Sequence, residues 1–527
     1  MRVALRTDAS RRIGGGHVSR CLALADALAE RGADCHFVTR AHPGHMDARI
    51  RAAGHELTSL PAPDTDTTHA GETDYPAWLG LGEEQDSAET LAALSAWQPD
   101  WLVVDHYALG ERWERAAANA GIRVLAIDDL ANRPHAAEVL IDQTLHPSPA
   151  TRCAGLLAHG CRTLLGPRHA LLRGEYRQQR PARPPAPASV QRAFIFFGSV
   201  DTANLTGATL TALSQADLAD IAVDMVVSDQ HARRDEVIAQ AHKRPHTTLH
   251  TPRPHLADLM AGADLAIGAG GVTAWERCTL GLPAVVIAIA HNQCETCIQL
   301  HEQGAITFLG HQQACEHAWE AIARAVHTLR TDGASLATMA GNAWRLCDGL
   351  GAARAAEALL ATPTDQLRLR PAREEDVVLY HDWVNDPATR AAAFNSEPID
   401  WPTHHDWFHR RLADSATRLR VLETPTGLPV GQARIQHGAE STPHLDYSID
   451  AAFRGRGWGT ALLRKILAEW RRDHGDGELI AEIRPDNQAS LAALTRAGFE
   501  RCDATTDRVV LRAPTAIATD IDASPQP

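Results

Sequence analysis

A glycine-rich turn near the start of the chain carries the first residues that could do chemistry. The strand-like run 3–6 leads into Gly14, Gly15, Gly16 and His17, after which apolar residues recur at helical spacing. Such glycines let the backbone approach a ligand, and the amides of a helix start attract an anion. The helix dipole favours a neutral imidazole at His17, which could then act as a general base. A structural histidine beside an ordinary turn explains the same pattern, so this motif alone does not decide.

Two further small-residue turns follow apolar strands in the middle of the chain. After the turn 268–271, the amides of Gly271 and Thr273 are placed to hold a pyrophosphate at a predicted helix start. Glu276 lies one turn into that helix, where its carboxylate can accept hydrogen bonds from two ribose hydroxyls. Its alternative role is a negative charge in the first helical turn that interacts favourably with the helix dipole, and one residue can serve both roles. Gly198 marks the other turn, which also suits a phosphate.

A glycine loop in the last third of the chain has arginines beside it. Residues 453–460 read Phe-Arg-Gly-Arg-Gly-Trp-Gly-Thr and run into a predicted helix with an apolar face. Glycine amides at a helix start, with guanidinium groups nearby, form a typical phosphate cradle. A tight turn without a ligand explains the glycines equally well. The candidate ligands in this loop are Arg454, Gly455, Gly457, Gly459 and Thr460.

Other clusters of reactive side chains carry no site. Cys294 and Cys297 form a single CxxC without a second pair, and the histidine-rich stretch 404–409 shows no closed ligand set. We therefore predict no metal.

Composition limits the class of protein. The chain has 527 residues, too many for one core, so roughly two to four domains are expected. Its net charge of -14 argues against non-specific binding to nucleic acid or to an anionic membrane, and neither partner is predicted. No signal-like segment, long apolar run or dense cysteine framework is found, which favours a reduced, cytoplasmic protein.

The elements that must position these residues alternate between apolar strands and alanine- and leucine-rich helices. This alternation predicts the α/β class, with two parallel, Rossmann-type sheets, followed along the chain by a smaller α+β domain. A proline-rich stretch, 177–189, and the break 361–366 separate the parts. The predicted segments are an N-terminal lobe (1–180), a second lobe (190–360), an α+β domain (367–513) and a disordered tail (514–527).

About the first 355 residues resemble the pseudaminic-acid pathway UDP-sugar hydrolases, the PseG family, which share the two-lobed GT-B architecture of MurG-like glycosyltransferases. The matching motifs are Arg6-Thr-Asp8, Ile13-Gly-x-Gly-His17, Asp105-His106-Tyr107, Asp128-Asp129, Leu164-Leu-Gly-Pro167, Gly268-Ala-Gly-Gly271, Trp275-Glu276-Arg277-Cys278 and Asn292-Gln293. The resemblance implies that His17 activates water at the anomeric carbon, with inversion and loss of UDP. It implies that Gly271, Thr273, Glu276 and Gln293 hold UDP, without a metal. Gly16, Gly198 and Asn292 are further candidate substrate ligands, whereas Asp105 and Tyr107 fit substrate contact and hydrogen-bonded packing equally.

Residues 367–513 resemble the GNAT acetyltransferase superfamily. Arg454-x-x-Gly457-x-Gly459 matches its acetyl-CoA pyrophosphate loop, and Asn487 belongs to a second matching motif, 483–490. The start of the segment looks like the PseH branch, which acetylates amino sugars on nucleotides. The resemblance therefore implies acetyl-CoA as co-substrate. Leu494 stands where many GNAT enzymes carry the tyrosine that protonates the CoA thiolate; we interpret Tyr447 as a packing residue and name no acid.

Together these resemblances predict a bifunctional enzyme of pseudaminic acid synthesis acting on a UDP-linked amino sugar. The rear domain would acetylate the 4-amino group of a UDP-linked trideoxy sugar. The front lobes would then hydrolyse the product to UDP and 2,4-diacetamido-2,4,6-trideoxy-L-altrose. Two alternatives remain open: a glycosyltransferase using the same cleft, and a non-catalytic nucleotide-sugar sensor with a degenerate acetyltransferase.

Overall fold

The computed structural model describes residues 1–63, 73–314, 317–360, 363, 366–437 and 442–514. The chain divides into two units, Met1–Leu359 and Leu360–Pro527. The fold class predicted from the sequence is confirmed, because two parallel sheets make up the first unit and a mixed sheet makes up the second. Apart from Pro514, the tail predicted to be disordered lies outside the described residues.

The first sheet and its helices come from the N-terminal part of the first unit, which we call the first lobe. Its strands are β1 (Arg2–Thr7), β2 (Asp34–Arg40), β3 (Glu56–Leu60), β4 (Trp101–Asp105), β5 (Arg123–Ile127), β6 (Val139–Asp142) and β7 (Arg162–Leu165). Its helices are α1 (Gly16–Ala29), α2 (Asp47–Ala52), α3 (Tyr75–Leu79), α4 (Glu83–Leu94), α5 (Glu111–Asn119), α6 (Pro149–Arg152) and α7 (Gly174–Gln179).

The second sheet belongs to the remainder of the first unit, which we call the second lobe. Its strands are β8 (Arg192–Phe196), β9 (Ala222–Val226), β10 (Thr247–His250), β11 (Leu265–Ala269), β12 (Ala284–Ala288) and β13 (Thr307–His311). Its helices are α8 (Leu205–Leu213), α9 (Arg234–Lys243), α10 (Ala257–Ala261), α11 (Thr273–Leu280), α12 (Cys294–Glu302), α13 (Ala318–Thr331), α14 (Gly333–Leu346) and α15 (Gly351–Leu360).

Strand order explains where a ligand can bind in each lobe. The described strands run β3-β2-β1-β4-β5-β6-β7 in the first sheet and β10-β9-β8-β11-β12-β13 in the second. Pairing is parallel throughout both. The order reverses between β1 and β4, and again between β8 and β11. In doubly wound sheets, ligands bind beyond the carboxyl ends of the strands at such a reversal.

Short apolar strands form these sheets because both of their faces are covered by helices. On β8, Phe194 and Ile195 point to opposite faces and join separate apolar cores, at 1% and 0% exposure. β4 is buried at every position, which fixes Asp105 at its buried end. Burial of these strands therefore sets the positions of the turns that follow them.

The proline-rich stretch is held by the second lobe. The guanidinium group of Arg180 donates to the carbonyl oxygens of Thr279, Trp344 and Cys347 and lies 4.2 Å above the Trp344 ring. The indole of Trp344 donates in turn to the carbonyl of Pro181. The end of α7 and the start of the stretch therefore pack as part of the fold.

Helix α15 returns to the first lobe, although it falls in the segment 190–360 expected to form the second. Glu357 pairs with Arg31 of that lobe at 2.7 Å, and Arg354 donates to the carbonyl of Arg168. The last helix of the unit thus joins its two lobes.

The second unit has a mixed sheet. Its strands are β14 (Arg368–Pro371), β15 (Thr417–Glu423), β16 (Pro429–Gln436), β17 (His444–Ile449), β18 (Ile480–Ile483), β19 (Glu500–Ala504) and β20 (Val509–Arg512). Its helices are α16 (Val377–Asn385), α17 (Pro387–Ala392), α18 (Trp401–Ala413), α19 (Trp458–His474) and α20 (Gln488–Ala497). The described strands lie in the order β14-β15-β16-β17-β18-β20-β19.

One pairing in this sheet differs from the others. β17 and β18 run parallel and pair at His444 and Ile480, whereas the neighbouring strands pair in antiparallel fashion along their length. β17 and β18 therefore pair near their starts, and the remainder of each strand is available to border a cavity. Helix α19 packs an apolar stripe into the core of this unit, as its spacing predicts; the buried residues include Leu462, Leu463, Ile466, Leu467 and Trp470.

Candidate functional site

A cavity of about 890 Å³ lies beyond the carboxyl ends of both sheets of the first unit. We call it the front cavity. It brings together residues from the turns after β1, β8 and β11, as strand order requires. The residues predicted from the sequence that line it are Gly16, His17, Tyr107, Gly198, Gly271, Thr273, Glu276, Asn292 and Gln293.

His17 sits in the first turn of α1, with one ring nitrogen held from behind. Nδ1 lies 2.6 Å from Oδ1 of Asp105, which ends β4. Because the Asp105 carboxylate can only accept, Nδ1 carries the proton and donates it. His17 also lines the cavity, and Nε2 is its other ring nitrogen.

Asp105 does not line the cavity: it is fully buried behind His17. Arg20 donates to both of its oxygens at 2.7 Å, from Nε to Oδ2 and from Nη2 to Oδ1. Burial would raise the pKa of Asp105, but Arg20 and His17 hold it well below its ordinary value. Of the two interpretations left open by the sequence, its contacts correspond to hydrogen-bonded packing against the imidazole.

Sequence reasoning missed Arg20. It lies three residues after His17 on α1, a spacing that places both on one helix face. Its guanidinium group joins Asp105 to Asp129, with Nη1 of Arg20 2.8 Å from Oδ2 of Asp129. The helical spacing was a signal for Arg20, but only the fold brings these carboxylates to it.

Tyr107 links this network to the second lobe. Its hydroxyl donates to Oδ1 of Asp129 at 2.5 Å and accepts from Nδ2 of Asn292 at 3.3 Å. Its ring meets the His17 imidazole edge-on, with centroids 4.6 Å apart. Trp78 also lines the cavity and packs against Tyr107, and no spacing in the sequence pointed to it.

On the second lobe, the start of α11 is open towards the cavity. Val272 precedes the helix, and no side chain caps the first amides. A Cβ added at Gly271 would meet only the side-chain nitrogen Nε2 of Gln293 within 4 Å, at 3.5 Å. Oε1 of Gln293 accepts from the backbone N–H groups of Gly270 and Ile289, which leaves Nε2 to donate towards the turn. These donors could hold an anion such as a diphosphate.

Glu276 contributes an acceptor to the same wall. Its Oε2 is buried and accepts no hydrogen bond from the residues that the structure describes. Burial raises the pKa of Glu276 to about 7, against the lowering effect of Tyr176, Arg277 and Arg49. A buried acceptor without a donor is costly, and two ligand hydroxyls could supply the missing hydrogen bonds.

The raised pKa of Glu276 predicts how stability depends on pH. The folded protein holds this proton up to about pH 7, whereas the unfolded chain loses it near the ordinary value of 4.5. The protonated carboxyl of Glu276 therefore contributes fully to the stability of the folded state below pH 4.5, and this contribution is lost as pH rises through 7. The glutamine of Glu276→Gln is uncharged at every pH, so burying it carries no cost of ionisation. We therefore expect Glu276→Gln to have a free energy of unfolding about 1 kcal/mol higher than wild type at pH 8, and a higher unfolding temperature.

Thermal unfolding without ligand, at pH 4 and pH 8, measures this difference. Glu236→Gln is the matched control, because Glu236 is 71% exposed on α9. An equal effect of Glu276→Gln at both pH values would contradict the prediction.

The second unit has its own cavity, of about 760 Å³, which we call the rear cavity. It is bordered by β17, by β18 and by the starts of α19 and α20. The predicted cofactor ligands all line it: Arg454, Gly455, Gly457, Gly459, Thr460 and Asn487. Gly457 has φ of 87° and precedes α19, and no side chain caps the first amides of that helix. Those amides form an anion cradle.

Two of these side chains are already engaged. The guanidinium group of Arg454 lies 2.6 Å from Asp386 and donates to Oγ1 of Thr389 and to the carbonyl of Ile449. Asn487 caps α20 by accepting from the amide of Ser490. The backbone of the loop, more than the charge of Arg454, is therefore what the cradle offers an anion.

No group of three or more His, Cys, Asp or Glu residues suited to a metal occurs among the residues described. Likewise, no helix in the described part of the chain has the length and apolar character needed to cross a membrane.

Comparison with known proteins finds a family similarity within the second unit. Residues 366–500 match the family model described as an acetyltransferase (GNAT) domain. In the solved structures, aminoglycoside acetyltransferase AAC(6')-Ib with acetyl-CoA covers 30% of this chain and 100% of its own, at 21% identity and a TM-score of 0.27. MurG of Acinetobacter baumannii covers 68% of this chain and 98% of its own, at 16% identity and a TM-score of 0.46.

Among curated proteins, the uncharacterized protein MJ1062 of Methanocaldococcus jannaschii is 19% identical over 516 residues, which is 95% of this chain and 97% of that protein. Spore coat polysaccharide biosynthesis protein SpsG of Bacillus subtilis is 28% identical over 117 residues, 22% of this chain. The chain spans about a third of SpsG, 34% of its length.

Proposed function

With a GNAT acetyltransferase domain behind two Rossmann-like sheets, we propose that this chain is a bifunctional enzyme acting on a UDP-linked amino sugar. The rear domain transfers acetyl from acetyl-CoA to the 4-amino group of a UDP-linked 2-acetamido-2,4,6-trideoxy sugar. The first unit then hydrolyses UDP-2,4-diacetamido-2,4,6-trideoxy-beta-L-altropyranose. Both steps belong to the pseudaminic acid route that the sequence resemblance predicts.

The pairing of His17 with Asp105 carries the hydrolase proposal. The buried carboxylate holds the proton on Nδ1, so Nε2 takes a proton from water at the cavity. That water attacks the anomeric carbon from the face opposite UDP. The carbon–oxygen bond to the diphosphate breaks, and the configuration inverts. Asp105 is thus a positioning residue for the imidazole.

The start of α11 is the UDP site in this proposal. Gly271 and Thr273 offer backbone amides to the diphosphate as negative charge develops on the leaving oxygen. Glu276 accepts the ribose hydroxyls, and Nε2 of Gln293 donates towards the turn. Asn292, through Tyr107, ties this side of the cavity to His17.

This assignment predicts that Glu276→Gln weakens UDP binding. Above pH 7 the carboxylate of Glu276 is charged, and a neutral amide would replace this acceptor of two hydroxyls, so the dissociation constant at pH 8 should rise about tenfold. Calorimetric titration with UDP and with inorganic diphosphate separates the effects, because diphosphate lacks the ribose. Equal weakening of both ligands would argue against ribose recognition by Glu276.

The rear cavity supports the acetyltransferase half. The family match covers the loop at α19, and the cradle there has free amides for the CoA diphosphate. The similarity to SpsG, named for polysaccharide biosynthesis, supports sugar chemistry for the chain as a whole. The acceptor amine is the narrower part of the proposal, and it follows from the resemblance to PseH.

Mass spectrometry in oxygen-18 water tests both halves at once. The UDP-4-amino-trideoxy-altrose sugar is incubated with and without acetyl-CoA. We expect acetylation, then UDP release with the label in the free sugar. Acetylation without hydrolysis would point to a glycosyltransferase that lacks its acceptor. Nucleotide binding without turnover at either site would favour the sensor.

A further inference from the structure

The part of the front cavity wall that belongs to the first lobe carries an arginine beside the proposed nucleotide site. Arg49 is on α2, three residues after Met46, and both residues line the cavity. A Cβ added to Gly15, in the turn before His17, would stand 2.7 Å from Sδ of Met46. The start of α2 therefore packs against that turn.

The same turn meets the second lobe at the start of α11. A Cβ added to Gly16 would stand 3.7 Å from Cγ2 of Val272, which precedes α11. Arg49 also contacts the second lobe, because its Nη2 donates to the carbonyl oxygen of Pro254 at 3.0 Å. Glu276, in the first turn of α11, is near enough that Arg49 and Glu276 each influence the pKa of the other. Arg49 is thus placed on the side of the cavity where the proposed function puts the ribose and the diphosphate.

The charge of Arg49 is not neutralised by a carboxylate in the part of the chain that the structure describes. Its side chain is half-buried, and no Asp or Glu oxygen of the described residues lies within 4.0 Å of its nitrogens. Burial lowers the pKa of Arg49, and so does the neighbouring Arg173, whereas Glu276 offsets this only in part. Arginine nevertheless stays charged at any ordinary pH, and an unpaired cation in such a place is costly. Arginine also has several N–H donors, and Pro254 accepts from one of them, so an anionic ligand could supply the missing partner.

Three other arginines of the cavity wall already have carboxylate partners. The pairs are Arg20 with Asp105 and Asp129, Arg173 with Asp26 and Glu175, and Arg253 with Asp258. A ligand anion would have to compete with these carboxylates for the three guanidinium groups. It meets no such competition at Arg49, among the residues described, so Arg49 has more to gain from an anion than these three.

We propose that Arg49 binds the diphosphate of UDP from the first lobe, opposite the amides of α11, an inference that rests on the proposed function. The guanidinium group of Arg49 donates to phosphate oxygens, while Gly271 and Thr273 supply backbone N–H groups from the second lobe. The nucleotide therefore joins the two lobes and is not held by the second lobe alone. When the bond between the anomeric carbon and the diphosphate oxygen breaks, its electron pair stays on that oxygen. Free UDP thus carries more negative charge than the sugar nucleotide, and its contact with Arg49 is the stronger of the two.

Arg49→Gln in the full chain tests this proposal, because it removes the charge and keeps a polar side chain. Calorimetric titrations at pH 8 compare UDP, UMP and uridine, which share the base and the ribose and differ in their phosphates. We expect the dissociation constant to rise about 30-fold for UDP, less for UMP, and less than about threefold for uridine. Arg51→Gln is the matched control, because Arg51 is on the same helix with its side chain 57% exposed. It should bind all three ligands as the wild type does.

Salt dependence separates a contact with the phosphates from a purely structural role of Arg49. The affinity of the wild type for UDP should fall as salt rises, and the fall should be smaller in Arg49→Gln, because one ion pair with the ligand is missing. If Arg49 only ties the lobes together through Pro254, UDP and uridine should lose affinity equally. That result, or wild-type affinity for UDP in Arg49→Gln, would overturn the role of Arg49 alone. A wild-type protein that binds no UDP would overturn the proposed function of the first unit as well.

Discussion

His17→Ala should abolish UDP release from the diacetylated UDP-sugar and leave acetyl transfer at the wild-type rate. The substitution removes the ring nitrogen that takes the proton from water, so we expect hydrolysis to fall about 1,000-fold or more. The rear cavity belongs to a different unit of the chain, which keeps its own residues. Release of UDP and of CoA thiol, followed on the same sample, gives both rates.

Loss of the imidazole should not unfold the first unit. Asp105 keeps both hydrogen bonds from Arg20, so its buried charge remains paired. His327→Ala is the matched control, because this histidine is on α13 with its side chain 55% exposed. An unchanged melting temperature with lost hydrolysis would assign the effect to chemistry. Equal loss of both activities would contradict the assignment of hydrolysis to the first unit and of acetyl transfer to the second.

The sequence predicts that His17 is a general base, but it gives only part of the reason. The position of His17 at a helix start predicts a neutral imidazole, but it does not say which nitrogen is free. That depends on Asp105, 88 residues further along, and on the placement of β4 beside β1. Alternating strands and helices predict a parallel sheet, but local patterns do not state which strands become neighbours. The partner of His17 was therefore out of reach of local patterns.

The same limit applies to the rear cavity. The glycine loop and the helix after it are local features, and their spacing predicted the cradle at α19. The direction of the Arg454 guanidinium group could not be predicted from the local sequence, because its partner Asp386 lies directly before α17, far away in the chain. The position of Tyr447 on the rear cavity cannot be predicted from the sequence, because an alternating strand gives no sign that its neighbour will diverge. The single register pair between β17 and β18 is what places it on a cavity.

Gly457→Glu should abolish acetyl-CoA binding. The residue stands directly before α19, where uncapped amides face the rear cavity, and a carboxylate there would occupy the anion cradle and repel the CoA diphosphate. A Cβ at this position has room, since its nearest neighbour is Pro363 at 3.6 Å. We expect at least about a 100-fold rise in the dissociation constant, from like-charge repulsion and lost amide contacts. Calorimetric titration with acetyl-CoA measures it.

Backbone strain must be separated from this effect, because Gly457 has φ of 87° and any other residue is strained there. Gly427, in the turn between β15 and β16, offers a matched site: its φ is 82°, and a Cβ would meet nothing within 4 Å. Gly427→Glu carries the same charge and a similar strain, about 1–2 kcal/mol, away from the rear cavity. If both variants lost the same stability and only Gly457→Glu lost acetyl-CoA, the cradle would be the cause. Unchanged affinity in Gly457→Glu would instead move the CoA diphosphate away from α19.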